Sequence, residues 1–494
     1  MTAFEDLRQF IARVEEVSKD EVERINGVNP DKELGAIYAI NGQGPNPKLF
    51  LFDEIRGYPK GYRVATNVMG SKIRGRLVNG IPLDLEGPLL EEFQRKRLEE
   101  QKPIPAALVS DSPILQNVME GSDVDVTKFP SPVWHELDAG PYIGTASACL
   151  QLDPYEGWVN IGNYRSQVFD RNLIGLHHAH GHHGQVIRDH YFEQGQDAPV
   201  VIVLGGEPSL LACSGYNANW GISELEIAGW IRGEPVKVIK GKYGIPIPAG
   251  SEIVLEGRIM HPDHEPMRVE GQFGEGEGHY GYATPAPVVR VDTVYWRNEP
   301  IIMGQPPVRF LGAGFAGVNH LAMKAAKDAG FHDIRGIAGV GPFTVISVHQ
   351  MYAGHAKRVA DWFMSGIHNR PPRYLVLVDE DVDPTNAREV FWAISSRSNP
   401  QDSVHIYRNN WISPTSPRTT PDQNDAPLEH GLTMGCCLID ATMPFAWKDK
   451  FAPVNDVSPK FRKEMIEKWG EYLDLEPKQG NRESARVAGS GVTM

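Results

Sequence analysis

Cysteine is scarce, at four in 494 residues. Cys149 and Cys213 stand alone and Cys436 and Cys437 are adjacent, so neither a disulfide framework nor a CxxC zinc or redox motif can be built. No apolar run approaches the roughly 18 residues that a membrane span requires. Basic residues are also in deficit, with Lys+Arg 49 against Asp+Glu 63 and a formal net charge of −14. Phosphate neutralisation needs a basic face, so this balance argues against a nucleic-acid partner while leaving room for a local basic pocket. The opening MTAFEDLRQFIARVEEV carries acids at 5, 6, 15 and 16 and lacks a long apolar core, which argues against a secretory signal and for a reducing cytoplasm.

What is present reads as an ordinary globular chain, with 41% hydrophobic and 23% charged residues. Its length corresponds to two to four domains at about 100–200 residues each. Residues 1–115 read as an N-terminal α/β domain. It opens on a helix with a Thr2–Glu5 capping box and Phe4, Leu7, Ile11 and Val14 on one face. The Pro- and Gly-rich FPSPVWHELDAGPYIG then leads into residues 116–307, where TASACLQL, PVVIVLGG, SEIVLEGRI and PVVRVDTVYW read as strands. Helices are expected there at 182–194 and 223–232. Beyond GQPP the pattern becomes β-α-β, with FTVISVHQ and RYLVLVDED as strands, which predicts an α/β domain over 308–476. Its last helix starts from Ser458 and Pro459 and is expected to bury Phe461, Met465, Trp469 and Leu473. The tail 477–494 has little apolar content and reads as mobile.

Four segments carry candidate chemistry. GAGFAG, Gly312–Gly317, fits a dinucleotide loop and supports an alternative as a nicotinamide-dependent oxidoreductase, although Pro306 and Pro307 occupy the place of its strand. HHAHGHHG offers His177, His178, His180, His182 and His183, which allows a His-rich metal-binding module. VEGQFGEGEGHYG sets Glu270 and Glu275 five apart among glycines that let the loop bend both carboxylates toward one point. Two acids beside one cation can divide roles, one ionised and one carrying a proton. WVNIGNYRSQV supplies Asn160, a ligand type for a hard divalent ion, and Arg165, a fork for a carboxylate or phosphate.

Taken together, Asn160 through Arg165, His182, Glu224 in GISELEIAGW, the EGQFGE loop and VDEDVDPTNAREVFWAISSR resemble the UbiD decarboxylase family in order along nearly the whole chain. Ferulic acid decarboxylase and protocatechuate decarboxylase are members of that family. The resemblance implies an N-terminal α/β domain, a central split β-barrel flavin-binding domain and a C-terminal α/β oligomerisation domain, assembled as a homodimer or homohexamer. It implies reversible, non-oxidative decarboxylation on prenylated FMN supplied by a flavin prenyltransferase. Asn160, Ile161, Gly162, Asn163, Tyr164, Arg165, Gly181, His182, Tyr216 and Glu224 would line the cofactor. Manganese would sit on Asn160, His182 and Glu224, and potassium on Ile161, Cys213, Ser214, Tyr216 and Glu224.

By the same resemblance Arg165, Glu270 and Glu275 are the catalytic constellation, with Glu275 as proton donor. The substrate would be an aromatic or heteroaromatic acid of indole, pyrrole or hydroxybenzoate type, releasing carbon dioxide. Residues 308–320 and 409–413 are pocket candidates by position. The HHAHG tract departs from the apolar and Gln-containing stretch of ferulic acid decarboxylase. The lysine that reaches the cofactor phosphate in that relative has no clear counterpart; IHNRPPR offers Arg370 or Arg373 instead, and the phosphate contact stays unassigned.

Overall fold

The computed structural model describes residues 4–44, 46–85, 87–100, 102–178, 181–215, 218–276, 278–309, 319–340, 343–365, 371–411, 416, 418, 433–455 and 459–469. Met1–Thr442 form one compact unit and Met443–Met494 a second. Among the described residues no helix is long and apolar enough to cross a membrane.

The first helix, Leu7–Val17, buries Leu7, Phe10, Ile11 and Val14 as one stripe. Its cap differs from expectation. Asp6, in extended backbone, accepts the Gln9 amide at 2.8 Å, so the helix starts after Asp6 and the Thr2–Glu5 box is not its cap. A short carboxylate at this position reaches the N3 amide and interacts favourably with the helix N-terminus. Thr2 itself lies outside the described residues. The stripe packs on Leu49, Leu51 and Ala65 of a sheet ordered Val22–Val28, Leu49–Ile55, Arg63–Thr66, Ile301–Gly304. The last of these runs parallel to Arg63–Thr66, so the chain returns to its first sheet just before residue 307.

The apolar runs picked out in the central region are strands of one large sheet. Ala198–Leu204 lies between Ser147–Leu152 and Ile253–Ile259, antiparallel to both, and Val288–Trp296 pairs with the far side of Ile253–Ile259. Alternation explains the uninterrupted apolar sequence of Ala198–Leu204: Val200, Ile202 and Leu204 enter one core cluster while Val201 and Val203 enter another. Helices His183–Phe192, Pro208–Ser214 and Glu224–Arg232 lie against Ser147–Leu152 or Val159–Gly162. That packing brings helix N-termini to the strand preceding Arg165.

The next sheet is ordered Ile334–Val340, Phe343–Val348, Tyr374–Asp379, Thr433–Ala441, Val404–Trp411, and its three inner strands are parallel. The whole is a mixed α/β, multidomain fold. In the second unit, helix Pro459–Trp469 forms where expected, but Phe461 and Trp469 are 51% and 47% exposed rather than buried. An apolar stripe predicts a helix; its burial depends on a facing surface that the stripe does not encode. Leu473 and the tail 477–494 lie outside the described residues.

Candidate active site

Arg165 stands between strands Val159–Gly162 and Ser166–Asp170. Glu270 ends strand Arg268–Glu270, and Glu275 follows Phe273–Gly274 in the hairpin closed by Tyr280–Gly281. Both acids meet on the one guanidinium. Glu270 takes it bidentately, Nε to Oε1 at 2.8 Å and Nη2 to Oε2 at 2.7 Å, while Nη1 donates to Glu275. Gly271 makes this approach possible: its φ is +88°, and a Cβ there would lie 3.3 Å from Arg165 Nη2. The Phe273 ring lies 5.6 Å from the guanidinium carbon and packs on Tyr142.

Glu270 is fully buried and has four donors around its two oxygens. Tyr142 OH donates to Oε1 at 3.0 Å, and His177 Nδ1 lies 3.3 Å from Oε2. Burial alone would push this carboxyl up, but the contacts with His177 and Arg165 outweigh it and hold it at about 2. Burial likewise acts to lower Arg165, and the two carboxylates more than compensate, so its pKa is raised. Burial, with Glu270 next, pushes Tyr142 upward. A fixed cation and a fixed anion result, with the second carboxylate on the free edge of the cation.

Asn160 and Ile161 are buried on Val159–Gly162. Glu224, also buried, opens helix Glu224–Arg232 behind the Ser223 cap and accepts the Ile161 amide at 2.8 Å. Burial pushes the Glu224 carboxyl up to about 7. Asn160 Nδ2 is buried with no hydrogen-bond partner among the described residues. A buried acid that resists ionisation is unfavourable without a cation, and the side-chain oxygens of Glu224 and Asn160 are donor types suited to a hard one. His182 is the N-cap of His183–Phe192, after Gly181 at φ +77°. Cys213, buried, and Ser214, whose Oγ donates to the Leu211 carbonyl, end helix Pro208–Ser214. Burial, then Glu207 and Glu224, holds the Cys213 thiol well above its usual range.

Tyr164 is buried with its ring 4.4 Å from that of His178. Gly162 must be glycine there, because a Cβ would meet the Tyr164 ring at 2.3 Å. Asn163 is exposed, and its side-chain oxygen accepts the Ser147 amide. Tyr216, Gly312–Gly317 and Arg370 lie outside the described residues, as do 310–318 and 412–413 of the pocket candidates. Arg373 donates to Ser416 Oγ at 2.7 Å.

The histidine tract does not act as one group. His177 faces Glu270, His178 Nε2 pairs with Gln151 Oε1 at 3.0 Å, and His183 packs edge-on to Trp158 and Trp220. His180 lies outside the described residues. Among those described, no three His, Cys, Asp or Glu side chains gather as a metal site; the Asn160–His182–Glu224 set contains only two of these types.

Three contributors escaped sequence reasoning. Tyr142 and Gln167, whose Oε1 accepts the Gly271 amide at 3.0 Å, sit opposite each other on adjacent strands. Asp138 is the third. Its Oδ2 accepts the Trp134 and His135 amides, and burial pushes its carboxyl up to about 6 within reach of Arg165. A buried Asp in a Pro- and Gly-rich turn carries no single-sequence signal beyond its turn role.

Comparison with known proteins shows the family. Residues 107–309 match the UbiD 3-octaprenyl-4-hydroxybenzoate carboxy-lyase Rift-related domain, and residues 336–441 match the corresponding C-terminal domain. The phenolic acid decarboxylase of Streptomyces sp. (strain D7) is 31% identical over 460 residues, covering 90% of this chain and 93% of that one. The pyrrole-2-carboxylic acid decarboxylase of Pseudomonas aeruginosa is 27% identical, covering 80% and 83%. The closed form of Sedimentibacter hydroxybenzoicus vanillic acid decarboxylase superposes with a TM-score of 0.82 at 26% identity, covering 96% of this chain and all of the other. The nicotinamide and metal-module alternatives find no support among these relatives. Two domain models in series and near full-length relatives that are decarboxylases lead to one conclusion: the chain belongs to the UbiD family of carboxy-lyases.

Proposed function

We propose that this enzyme decarboxylates an aromatic or heteroaromatic acid on prenylated FMN, with Arg165, Glu270 and Glu275 as its catalytic groups. The observation that carries the reading is the asymmetric hold on Arg165, bidentate to buried Glu270 and single to Glu275. The Glu270 side is fixed. The Nη1 edge is exchangeable and turns from Glu275 to the carboxylate of an incoming acid. Glu275, released from its cation, takes up a proton and returns it to the carbon that loses carbon dioxide, as a positioned general acid. It is then a carboxylate again and goes back to Nη1.

Prenylated FMN, when bound, supplies the electron sink that side chains lack. HmfF of Pelotomaculum thermopropionicum, of the same fold at 24% identity, has been solved with it. The residues toward that group are Asn160, Ile161, Gly162, Asn163, Tyr164, Arg165, Gly181, His182, Tyr216 and Glu224. Asn160, His182 and Glu224 hold manganese, in keeping with the reluctant buried acid and the hard oxygen donors of the set. Ile161, Cys213, Ser214, Tyr216 and Glu224 hold potassium. The large antiparallel sheet is a split barrel for the flavin, and the C-terminal sheet mediates a homodimer or homohexamer in the cytoplasm. Phenolic and pyrrole carboxylates, named for the relatives, are the first substrates to try.

The test is expression with and without a flavin prenyltransferase, followed by mass measurement of the released cofactor, metal analysis, and carbon dioxide release from these acids. Prenylated FMN with manganese and carbon dioxide release is the expected result. Protein without flavin that binds nicotinamide would overturn it.

A further inference from the structure

Glu270 has a partner that holding Arg165 does not require. Strand Leu173–Leu176 pairs antiparallel with Ser166–Asp170, Leu176 opposite Ser166, so His177 emerges opposite Arg165. Its backbone amide donates to the Arg165 carbonyl at 3.2 Å, and its ring Nδ1 lies 3.3 Å from Glu270 Oε2. An ionised carboxylate only accepts, so Nδ1 carries the hydrogen of this pair, and in that tautomer Nε2 presents a lone pair. Nε2 is buried and has no partner among the described residues. A buried acceptor without a donor is unfavourable, yet Glu270 fixes the ring in this orientation.

We propose that His177 is a substrate-reading residue whose Nε2 accepts a hydrogen bond from a ring N–H or O–H of the acid that Arg165 engages. The inference rests on the decarboxylase reading and deepens it, because it assigns the substrate class as acids bearing a donor on the ring. His177 and Arg165 are both held by the one Glu270 carboxylate, which ties the position of Nε2 to that of the guanidinium. A site built to accept such a hydrogen bond discriminates against analogues that lack the donor, since the buried acceptor is then stranded.

Two matched pairs test this: pyrrole-2-carboxylic against furan-2-carboxylic acid, and a hydroxybenzoic acid against benzoic acid. His177→Asn keeps an amide donor near the Nδ1 position for Glu270 and deletes Nε2, whereas His177→Gln carries a side-chain oxygen toward the Nε2 position. The readouts are kcat/KM on the cofactor-loaded enzyme and calorimetric Kd on cofactor-free protein. The expected result is that His177→Asn lowers the donor-to-donorless ratio about tenfold or more in the preferred pair, and that His177→Gln recovers part of it. An unchanged ratio in His177→Asn, with carbon dioxide still released, would overturn this inference alone. Release from none of the four acids by loaded wild-type enzyme would overturn the decarboxylase reading and this one with it.

Discussion

Glu270 grips Arg165 through two parallel hydrogen bonds of 2.8 and 2.7 Å, with its own side chain wholly buried. Such a fork fixes direction as well as charge, which a lysine cannot do. Removing the cation strands the carboxylate, so Arg165→Ala should cost about 3–5 kcal/mol of stability. Arg165→Lys should melt between wild type and Arg165→Ala yet lose about a hundredfold or more in kcat, because the ammonium cannot serve Glu270 and substrate in one plane. Chemical denaturation and steady-state kinetics on the two variants separate the charge from the geometry.

The same pair sets an acid limit. Glu270 is held at about 2 in the folded chain against an ordinary 4.5. A depressed acid contributes stability that is fully present above about 4.5 and is lost as pH falls toward about 2. The loss amounts to about 3 kcal/mol over that window. Glu270→Gln should be less stable than wild type at pH 7 and should fall less steeply between pH 4.5 and 2.5. Parallel slopes for the two proteins in urea titrations across that window would contradict this.

Glu275 accepts from Nη1, the edge of Arg165 that Glu270 leaves, and is the proton donor of the proposed reaction. Glu275→Gln keeps the size and the hydrogen bond but cannot release a proton. Turnover should be abolished while the flavin remains bound, read as carbon dioxide release against the visible absorbance of the loaded protein. Deuterium exchange at the substrate carbon should vanish with it.

Much of this was legible in the chain, and the limits have a physical pattern. Ala198–Leu204 could be read as a doubly buried strand because both of its faces are apolar. Glu270 and Glu275 could be read as converging because Gly271 permits the bend. Other features depended on register across the sheet. Nothing local places Tyr142 opposite Gln167, or His177 opposite Arg165, and those pairings decide who touches Glu270. Ile301–Gly304 was equally opaque, since its parallel partner Arg63–Thr66 lies in the first sheet. At the N-terminus two acids and a threonine competed for one cap, and Asp6 took it.

Glu224 is the position where the proposed metal set meets the fold. Its carboxylate is buried at the start of a helix, accepts the Ile161 amide at 2.8 Å, and lies on the element that packs beside Asn160's strand. A buried acid is uncomfortable without a cation, and Asn160 on that strand carries an amide oxygen, a hard donor type. Glu224→Gln removes one negative charge from the set while conserving its shape. Losing an outer-shell partner alone typically costs 10–100-fold in metal affinity, so losing a ligand should lower manganese content by about tenfold or more. Flavin loading should fall in step, because Asn160, His182 and Glu224 are shared by the proposed metal and cofactor sets. His183→Ala is the control: that ring packs on Trp158 and Trp220, outside the Asn160–His182–Glu224 set. Metal analysis should find its manganese unchanged, whereas a loss equal to that of Glu224→Gln would mean that the histidine tract, and not Asn160, His182 and Glu224, holds the ion.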